Sequence, residues 1–354
     1  MKDDQIATDR QPCQLCDGTL ALRYSGHPGY VANRKYDIMV CEKCGTAMAF
    51  PLETDSHIYE QIYEHGTQIS GYDRYFQHAA NVLTADNPLD YLAGAEDVYW
   101  GVREYLKVKA ATQKSVLRIL DIGCGLGYLT YALRRAGYCA TGLDVSSKAV
   151  IAARQRYGDF FICEDVDRYR VVGAGQYDVI IMCEVVEHVA TPRDIFKASL
   201  ELLAPDGQLI VTTPNRSFYD SGVLWETDPP PVHLWWFSEE GVRGLGAKLG
   251  CSVSFADFSL FSRKKLSLCR YRFPRNLPSR SSVFDQHYAL LMPSSAIQRS
   301  HMSRLIEAVF GCRILKYVRM MKALLQGEHV ITGSRRTVMC AILSPNVRGE
   351  VKQG

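Results

Sequence analysis

The sequence predicts an α/β protein with a parallel, doubly wound sheet, a small cysteine module ahead of it and a long insertion before its last strand. Three observations carry that prediction. A β-branched and apolar run, Val116-Leu-Arg-Ile-Leu120, leads into a glycine turn, Asp121-Ile-Gly123-Cys-Gly125-Leu-Gly127, and a helical pattern through Ala136, the strand, turn and helix order of an open α/β sheet. The run Tyr177-Asp-Val-Ile-Ile-Met182 is apolar almost throughout, as strands covered on both faces are. Two Cys-x2-Cys pairs near the amino terminus stand apart from eight scattered cysteines.

Composition sets the outer bounds. With 354 residues, 47% hydrophobic and 22% charged, the chain has globular proportions, which excludes collagen, coiled coils and disulfide miniproteins. The length suits two or three domains at about 100 to 200 residues each. No apolar run approaches the roughly 18 residues of a membrane span. Met1 to Arg10 carries acids and no apolar stretch, so no secretory signal is expected and a cytoplasmic enzyme is. Cys163, Cys183 and Cys340 lie in apolar stretches, where a free thiol packs as a small hydrophobe, which suits a reducing compartment. The net charge of +3 is unevenly spread: from Leu260 onward there are 17 Lys and Arg against 4 Asp and Glu, a balance of +13, and the body before it carries −10. Such a basic segment either meets an anionic partner or serves as a solvated surface.

At the amino terminus, Cys13-Gln-Leu-Cys16 and Cys41-Glu-Lys-Cys44 are separated by 24 residues. Each pair forms one tight knuckle, and two knuckles supply the four tetrahedral thiolates that Zn(II) prefers. Four sulfurs leave no open position, so the site is expected to be structural; a redox pair and an iron centre are the competing readings. Gly18 and Gly45, just after the pairs, are expected at positive φ. A Tyr-rich and His-rich stretch follows, in which Tyr72 and Tyr75 are candidates to reach a ligand and the other aromatics read as packing.

In the core, Gly123, Gly125 and Gly127 let the backbone approach a ligand at the carboxyl end of the first strand. Asp121 at that strand end would repel a pyrophosphate and welcome an ammonium. The second strand, Ala140-Thr-Gly-Leu143, ends on Asp144, 21 residues after Gly123, placed to accept hydrogen bonds from both hydroxyls of a ribose. Ser146 caps the next helix. The third strand, Asp159 to Cys163, delivers Asp165 toward an adenine amino group. The fourth runs into Cys183-Glu184-Val-Val-Glu187-His188-Val, and Thr191-Pro192 starts a helix. Ala204-Pro-Asp-Gly207 is expected to turn into a fifth strand, Gln208 to Thr213, with a sixth at Ser252 to Asp257 and a seventh at Thr337 to Leu343.

Three motifs in register, the glycine turn, Asp144 and Cys-Glu-Val-Val-Glu-His-Val, resemble the class I S-adenosylmethionine-dependent methyltransferase family over roughly Val116 to Pro214. The resemblance implies a Rossmann-like class I methyltransferase sheet. It also implies that the three glycines cradle the methionine part, Asp144 holds the ribose, Asp165 reads adenine and Glu184 lies beside the sulfonium. A doubly wound domain for another nucleotide, chiefly a dehydrogenase, is the competing reading.

The acceptor is read from the loop after strand five. Methylases of exocyclic amino groups resemble one another in [DN]-P-P-[YF] after strand four, where this chain has Cys183-Glu-Val-Val. Asp228-Pro-Pro-Pro-Val-His233-Leu-Trp-Trp-Phe-Ser238 surrounds one His with aromatics, so His233 is a candidate general base, with a packing histidine as the alternative. His188 is the second candidate base, or a wall residue. Ribbon, core and loop together are similar to zinc-ribbon methyltransferases of nucleotide-linked deoxysugars, departing at Val232, where those carbon-methylating enzymes carry Glu.

Between strands six and seven lie about 80 residues, far longer than a hairpin connection. There Ile306, Phe310, Ile314, Tyr317, Met321 and Leu325 share one helical face and Arg313, Lys316, Arg319 and Lys322 the other. The division is a zinc ribbon (1–50), a helical linker or cover (51–114), the S-adenosylmethionine-binding core (115–260), a basic helical substrate insertion (261–336) and the last core strand with a tail (337–354). The expected function is O-methylation of a sugar or of a nucleotide- or lipid-linked acceptor, with S-adenosylmethionine and a structural Zn(II). The alternatives are carbon methylation of a nucleotide-linked deoxysugar, a quinone or lipid O-methyltransferase, and an RNA-modifying enzyme. The expected partner is an anionic or carrier-linked small molecule; the insertion offers a peripheral membrane contact, and nucleic acid ranks behind both.

Overall fold

The structure, a computed structural model, describes residues 12–69, 71–171, 176–218, 228–264, 267–269, 282–291, 321, 329–331 and 333–346. Three antiparallel strands follow the first knuckle: β1 (Leu20–Pro28), β2 (Lys35–Cys41) and β3 (Ala47–Phe50). Gly45 takes φ 74° after the second knuckle, but after the first it is Asp17 that is left-handed, at φ 58°. Gly18 is required there for closeness instead, since a Cβ on it would stand 2.8 Å from the Cys41 Sγ.

Four helices come next: α1 (Ser56–His65), α2 (Asp73–Asn81), α3 (Pro88–Ala95) and α4 (Asp97–Thr112). Asp55 caps α1, and Asn87 caps α3 with Pro88 at its first position, both satisfying backbone N–H groups a helix start leaves open. α4 buries Val98, Tyr99, Trp100, Val102 and Leu106, with Gly101 in contact with Cys340.

The core alternates strand and helix through β4 (Arg118–Ile122), α5 (Tyr128–Arg135), β5 (Cys139–Asp144), α6 (Ser147–Tyr157), β6 (Phe161–Cys163), α7 (Val166–Val171), β7 (Tyr177–Cys183), α8 (Pro192–Glu201) and β8 (Leu203–Pro214). Then follow β9 (Trp235–Trp236), α9 (Glu239–Lys248), β10 (Cys251–Phe255), α10 (Ser259–Lys264), β11 (Ser267–Cys269), β12 (His329–Ile331) and β13 (Val338–Pro345). Seven of these strands form one sheet in the order β10-β13-β8-β7-β4-β5-β6. β8, β7, β4, β5 and β6 are parallel, and β13 inserts antiparallel between β8 and β10. This mixed α/β sheet has the Rossmann-like, doubly wound order that the sequence predicts. The turn expected at Ala204 to Gly207 is absorbed into β8 as an irregularity: Tyr177 pairs with Leu203, and Val179 already with Gln208.

The Trp pair is not loop. β9 pairs antiparallel with β3 and so becomes the fourth strand of the amino-terminal sheet. Trp235 and Trp236 are buried at 1% and 2% exposure. The insertion leaves and rejoins the core through the antiparallel pair β11 and β12. Its segment 282–291 lies on the amino-terminal module, where Phe284 bridges Val31 and the Tyr288 hydroxyl donates to Asp55 at 2.6 Å. The amphipathic helix expected at Ile306 to Leu325 lies outside the described residues, Met321 excepted. Among the described residues no helix is long and apolar enough to cross a membrane.

Gly127, at φ 78° before α5, has no room for a side chain: a Cβ would come within 2.7 Å of Ala153 and Phe161. Gly127→Ala is expected to lower stability by at least about 1 to 2 kcal/mol, the cost of a left-handed L-residue, before any steric term. Denaturant unfolding measures it; unchanged stability would contradict this packing.

Candidate active site

A cleft of about 1430 Å³ runs from the carboxyl ends of β4, β5 and β7 to α1 and α2. At one end, the glycine turn and Asp144 meet. The Gly125 N–H donates to Asp144 Oδ2 and the Ser146 N–H to Oδ1, each at 2.8 Å. Burial pushes the Asp144 carboxyl up, against backbone hydrogen bonds from Ser146, Gly125 and Val145 that pull it down. Those bonds aim the carboxylate while each oxygen keeps a lone pair for a ligand. Gly123, at φ 71°, touches Val185, and above Gly125 stands the Tyr63 hydroxyl. Asp165 also lines the cleft, exposed.

Two of the residues singled out from sequence lie behind this surface. Gly127 and Asp121 are not among the lining residues. Asp121 is 2% exposed and accepts from Thr130 Oγ1 at 2.6 Å, tying β4 to the first turn of α5. Burial, foremost, pushes its carboxyl up to about 7.

At the other end of the cleft are Glu184, Glu187, His188 and His233. Glu184 follows the end of β7 at φ 56°, and a 3-10 turn, Val186–His188, comes next. Glu187 is 0% exposed, with Oε2 accepting from Thr213 Oγ1 at 2.9 Å. His188 Nδ1 lies 2.7 Å from the Val232 carbonyl, which fixes the Nδ1–H tautomer and leaves Nε2 with the lone pair. The His188 and His233 rings meet edge to face, centroids 4.7 Å apart. Burial raises the carboxyls of Glu184 and Glu187; the neighbouring Glu187 adds to the rise at Glu184, and His188 opposes it at Glu187.

Tyrosines wall the space. Tyr59 packs edge-on to His188, and the Tyr72 hydroxyl donates to Asp228 at 3.0 Å. Arg74 stacks on Tyr75, 4.6 Å from its centroid, and pairs with Glu96 at 3.3 Å. Sequence reasoning picked out Tyr72 and Tyr75 but assigned no role to Tyr59, Tyr63, Arg74 or Glu187. Glu187 and His188 adjoining, three residues after Glu184, was the signal available.

The four expected metal-binding cysteines form one buried cluster. Their sulfurs lie within 4.8 Å of one another, with Cys13 to Cys44 at 3.9 Å and Cys16 to Cys41 at 3.5 Å. A tetrahedral ion with Zn–S of about 2.3 Å sets its sulfurs about 3.8 Å apart, so the residues fit zinc. The neighbouring Cys13 thiol and burial push Cys44 up to about 12, and burial pushes Cys16 up to about 11; a dication relieves that cost by replacing the protons. The cluster is wired to the cleft through backbone. Ser238 Oγ donates to the Cys44 carbonyl at 2.5 Å, Arg216 Nε to the Gly45 carbonyl at 2.6 Å, and the Leu234 N–H to the Glu187 carbonyl at 2.8 Å.

Residues 98–254 match the family model described as a methyltransferase domain. This segment is similar to methyltransferase domains. Curated relatives named ubiquinone biosynthesis O-methyltransferase match part of the chain. The protein from Caulobacter sp. (strain K31) is 41% identical over 131 residues, 34% of this chain and 52% of that one. The protein from Salmonella paratyphi A is 33% identical over 105 residues, 28% of this chain and 43% of that one. The chain thus spans about half the length of the curated relatives it matches. Among solved structures, a SAM-dependent methyltransferase from Archaeoglobus fulgidus aligns with TM-score 0.39 at 14% identity, over 69% of this chain and 92% of that one.

Two outcomes follow for this segment and the cysteine module. Because β9 belongs to the cysteine module's sheet, Cys41→Ser is expected to lose one zinc per chain, by elemental analysis, and to change the tryptophan emission spectrum. Iron, or no metal, in the wild type would refute the zinc assignment. Because the folded Asp121 pKa stands above its unfolded value near 4, the native state binds the extra proton between about pH 4 and 7. Its contribution to stability is therefore lost as pH rises through that window, and Asp121→Asn is expected to flatten stability against pH there.

Proposed function

We propose that this chain transfers the methyl group of S-adenosylmethionine to a hydroxyl of a ring-bearing small molecule, with a quinone-type phenol favoured over a sugar. One observation carries the reading: a single cleft joins the glycine turn and Asp144 to the His188 and His233 pair. S-adenosylmethionine fits the first end. Gly123 and Gly125 would receive its methionine part, Asp144 its ribose hydroxyls and Asp165 its adenine, and Glu184, which also lines the cleft, would lie beside its sulfonium. The cofactor supplies an electrophilic methyl on a sulfonium. The acceptor hydroxyl must then approach from the histidine end, with the tyrosines excluding water and offering flat apolar faces to a ring.

The names of the matched relatives favour the quinone class. So does the chemistry: a phenolic hydroxyl ionises near pH 10, well below an alcohol, and is within reach of an imidazole. The balance of +13 after Leu260 supports an anionic or carrier-linked acceptor. Zinc in the cysteine module has a structural part in this reading, holding the segment that carries His233.

A panel of polyhydroxylated phenols and nucleotide-linked sugars, assayed with methyl-labelled S-adenosylmethionine, tests the class; label on the sugars alone would reverse it. Asp144→Ala is expected to weaken cofactor binding by about 1.5 to 3 kcal/mol, the scale of charge-assisted hydrogen bonds, as calorimetry would read. His233→Ala is expected to keep cofactor affinity and lose about 10²-fold or more in turnover; full activity would return His233 to packing.

A further inference from the structure

Residues 282–291 of the insertion do not line the cleft, yet two lines of contact lead from them to its histidine end. The segment is a loop folded on itself. Leu291 N–H donates to the Val283 carbonyl at 2.9 Å and Tyr288 N–H to the Asp285 carbonyl at 3.1 Å. The N–H groups of His287 and Ala289 donate to Asp285 Oδ1 at 2.8 and 2.9 Å. Tyr288 takes φ 62°, a left-handed backbone that a residue with a β-carbon disfavours and that persists where surrounding contacts fix it. We propose that this loop is a positioning element for the histidine end, in which Tyr288 latches α1 through Asp55 and thereby sets Tyr59 and His188.

The first line of contact runs through the Asp55 carboxylate. Its Oδ2 accepts from the Tyr288 hydroxyl at 2.6 Å and from Arg34 Nη1 at 2.7 Å, while Arg34 Nη2 donates to the Tyr288 hydroxyl at 2.5 Å. Its Oδ1 accepts from the His57 N–H at 3.0 Å and caps α1. One carboxylate thus joins the cysteine module, the helix and the insertion by charge-assisted bonds, which are the strong ones. The His57 ring adds an edge-on contact to Tyr288, centroids 4.5 Å apart. Four residues after Asp55, Tyr59 stands edge-on to His188, centroids 6.0 Å apart, and its hydroxyl donates to the Val232 carbonyl at 3.4 Å. The same carbonyl holds His188 Nδ1. A helix carries a displacement of its first turn to its next as a rigid element, so the latch at Asp55 fixes where Tyr59 meets His188.

The second line runs through Tyr30. Its N–H donates to the Pro230 carbonyl at 2.6 Å, in the segment that carries His233, and its carbonyl accepts from the N–H groups of Val283 and Phe284 at 2.8 and 3.1 Å. Phe284, 0% exposed, packs in one cluster with Tyr30, Ile58, Ile62 and Val232. Ile58 and Ile62 are the buried residues of α1. Both lines therefore end on the same two pieces, α1 and the Val232 to His233 segment. The glycine-turn end lies on neither. Tyr63, above Gly125, is a turn beyond Tyr59, close to Gly66, which packs against Phe76.

The use of this latch in catalysis rests on the methyl-transfer reading above, but its mechanical part does not, so the two can fail separately. The test compares the full-length wild type with Tyr288→Phe, which keeps the ring and loses the donor, and Asp55→Asn, which keeps a capping oxygen and loses the charge. Hydrogen–deuterium exchange, read by mass spectrometry, is expected to rise in residues 56–65 and 230–234 of both variants and to stay unchanged in residues 118–146. The double variant is expected to exchange no faster than Asp55→Asn alone, because both changes break one bond. With an acceptor from the panel above, both variants are expected to lose about 10-fold or more in turnover, the scale of a displaced positioning group, while calorimetry finds S-adenosylmethionine affinity within about 2-fold of wild type. Unchanged exchange in the two segments, or a rise spread equally over residues 118–146, overturns the latch. So does full turnover in a folded variant, which would reduce the contact to one of stability. Exchange that moves as expected in a protein that methylates neither phenol nor sugar would keep the latch and defeat the function assigned above.

Discussion

Two backbone rungs, Ala47 with Trp236 and Met48 with Trp235, are the constraint on which the histidine end of the cleft depends. They place β9 in the sheet of the cysteine module and not in the core sheet. The residues just before β9 are therefore set by the module. Ala49 N–H donates to the Leu234 carbonyl, and Leu234 N–H donates to the Glu187 carbonyl, so the segment is stitched to both bodies at once. His233 precedes Leu234, and the Val232 carbonyl before it fixes the His188 ring. The cysteine cluster, which does not line the cleft, thus bears on both histidines.

The two ends of the cleft are built by different means. At the glycine-turn end the positioning groups are local: the turn Gly123 to Gly127 and the tip of β5 are neighbouring strand ends, and Asp144 is held by the N–H groups of Gly125 and Ser146. Such a site forms whenever β4 pairs with β5. The histidine end draws on α1, the turn after β7, the Val232 to His233 segment and β3, so it is complete only when these distant segments are packed together. Even the insertion contributes, because Tyr288 and Arg34 share Asp55, the capping residue of α1.

Burial explains why carboxylates cluster where they do. Asp121 and Glu187 are almost wholly enclosed, yet their surroundings differ. Asp121 has a hydroxyl from Thr130 and no access to the cleft, and its task is to join a strand to a helix. Glu187 faces the cleft with an oxygen to which the described protein gives no hydrogen bond. A reading by residue type alone treats the two as equivalent, and only their neighbours separate a strut from a ligand-facing group.

The sequence by itself determined the features whose physics is local. The apolar runs of β4 and β7, the glycine turn, the Asp144 strand tip and the two cysteine knuckles each follow from spacing, because short-range sterics and periodicity decide them. The α/β class followed from their order. Tertiary structure alone decided what lies opposite what. Nothing in Trp235-Trp236 shows that the pair is a strand of the amino-terminal sheet, since an isolated two-residue strand has no period to read and its partner, β3, lies far away along the chain. In the same way Asp121 read as a ligand-facing acid and Glu187 as a motif filler. Exposure is set by the packing of distant segments, and no neighbour in the sequence reports it.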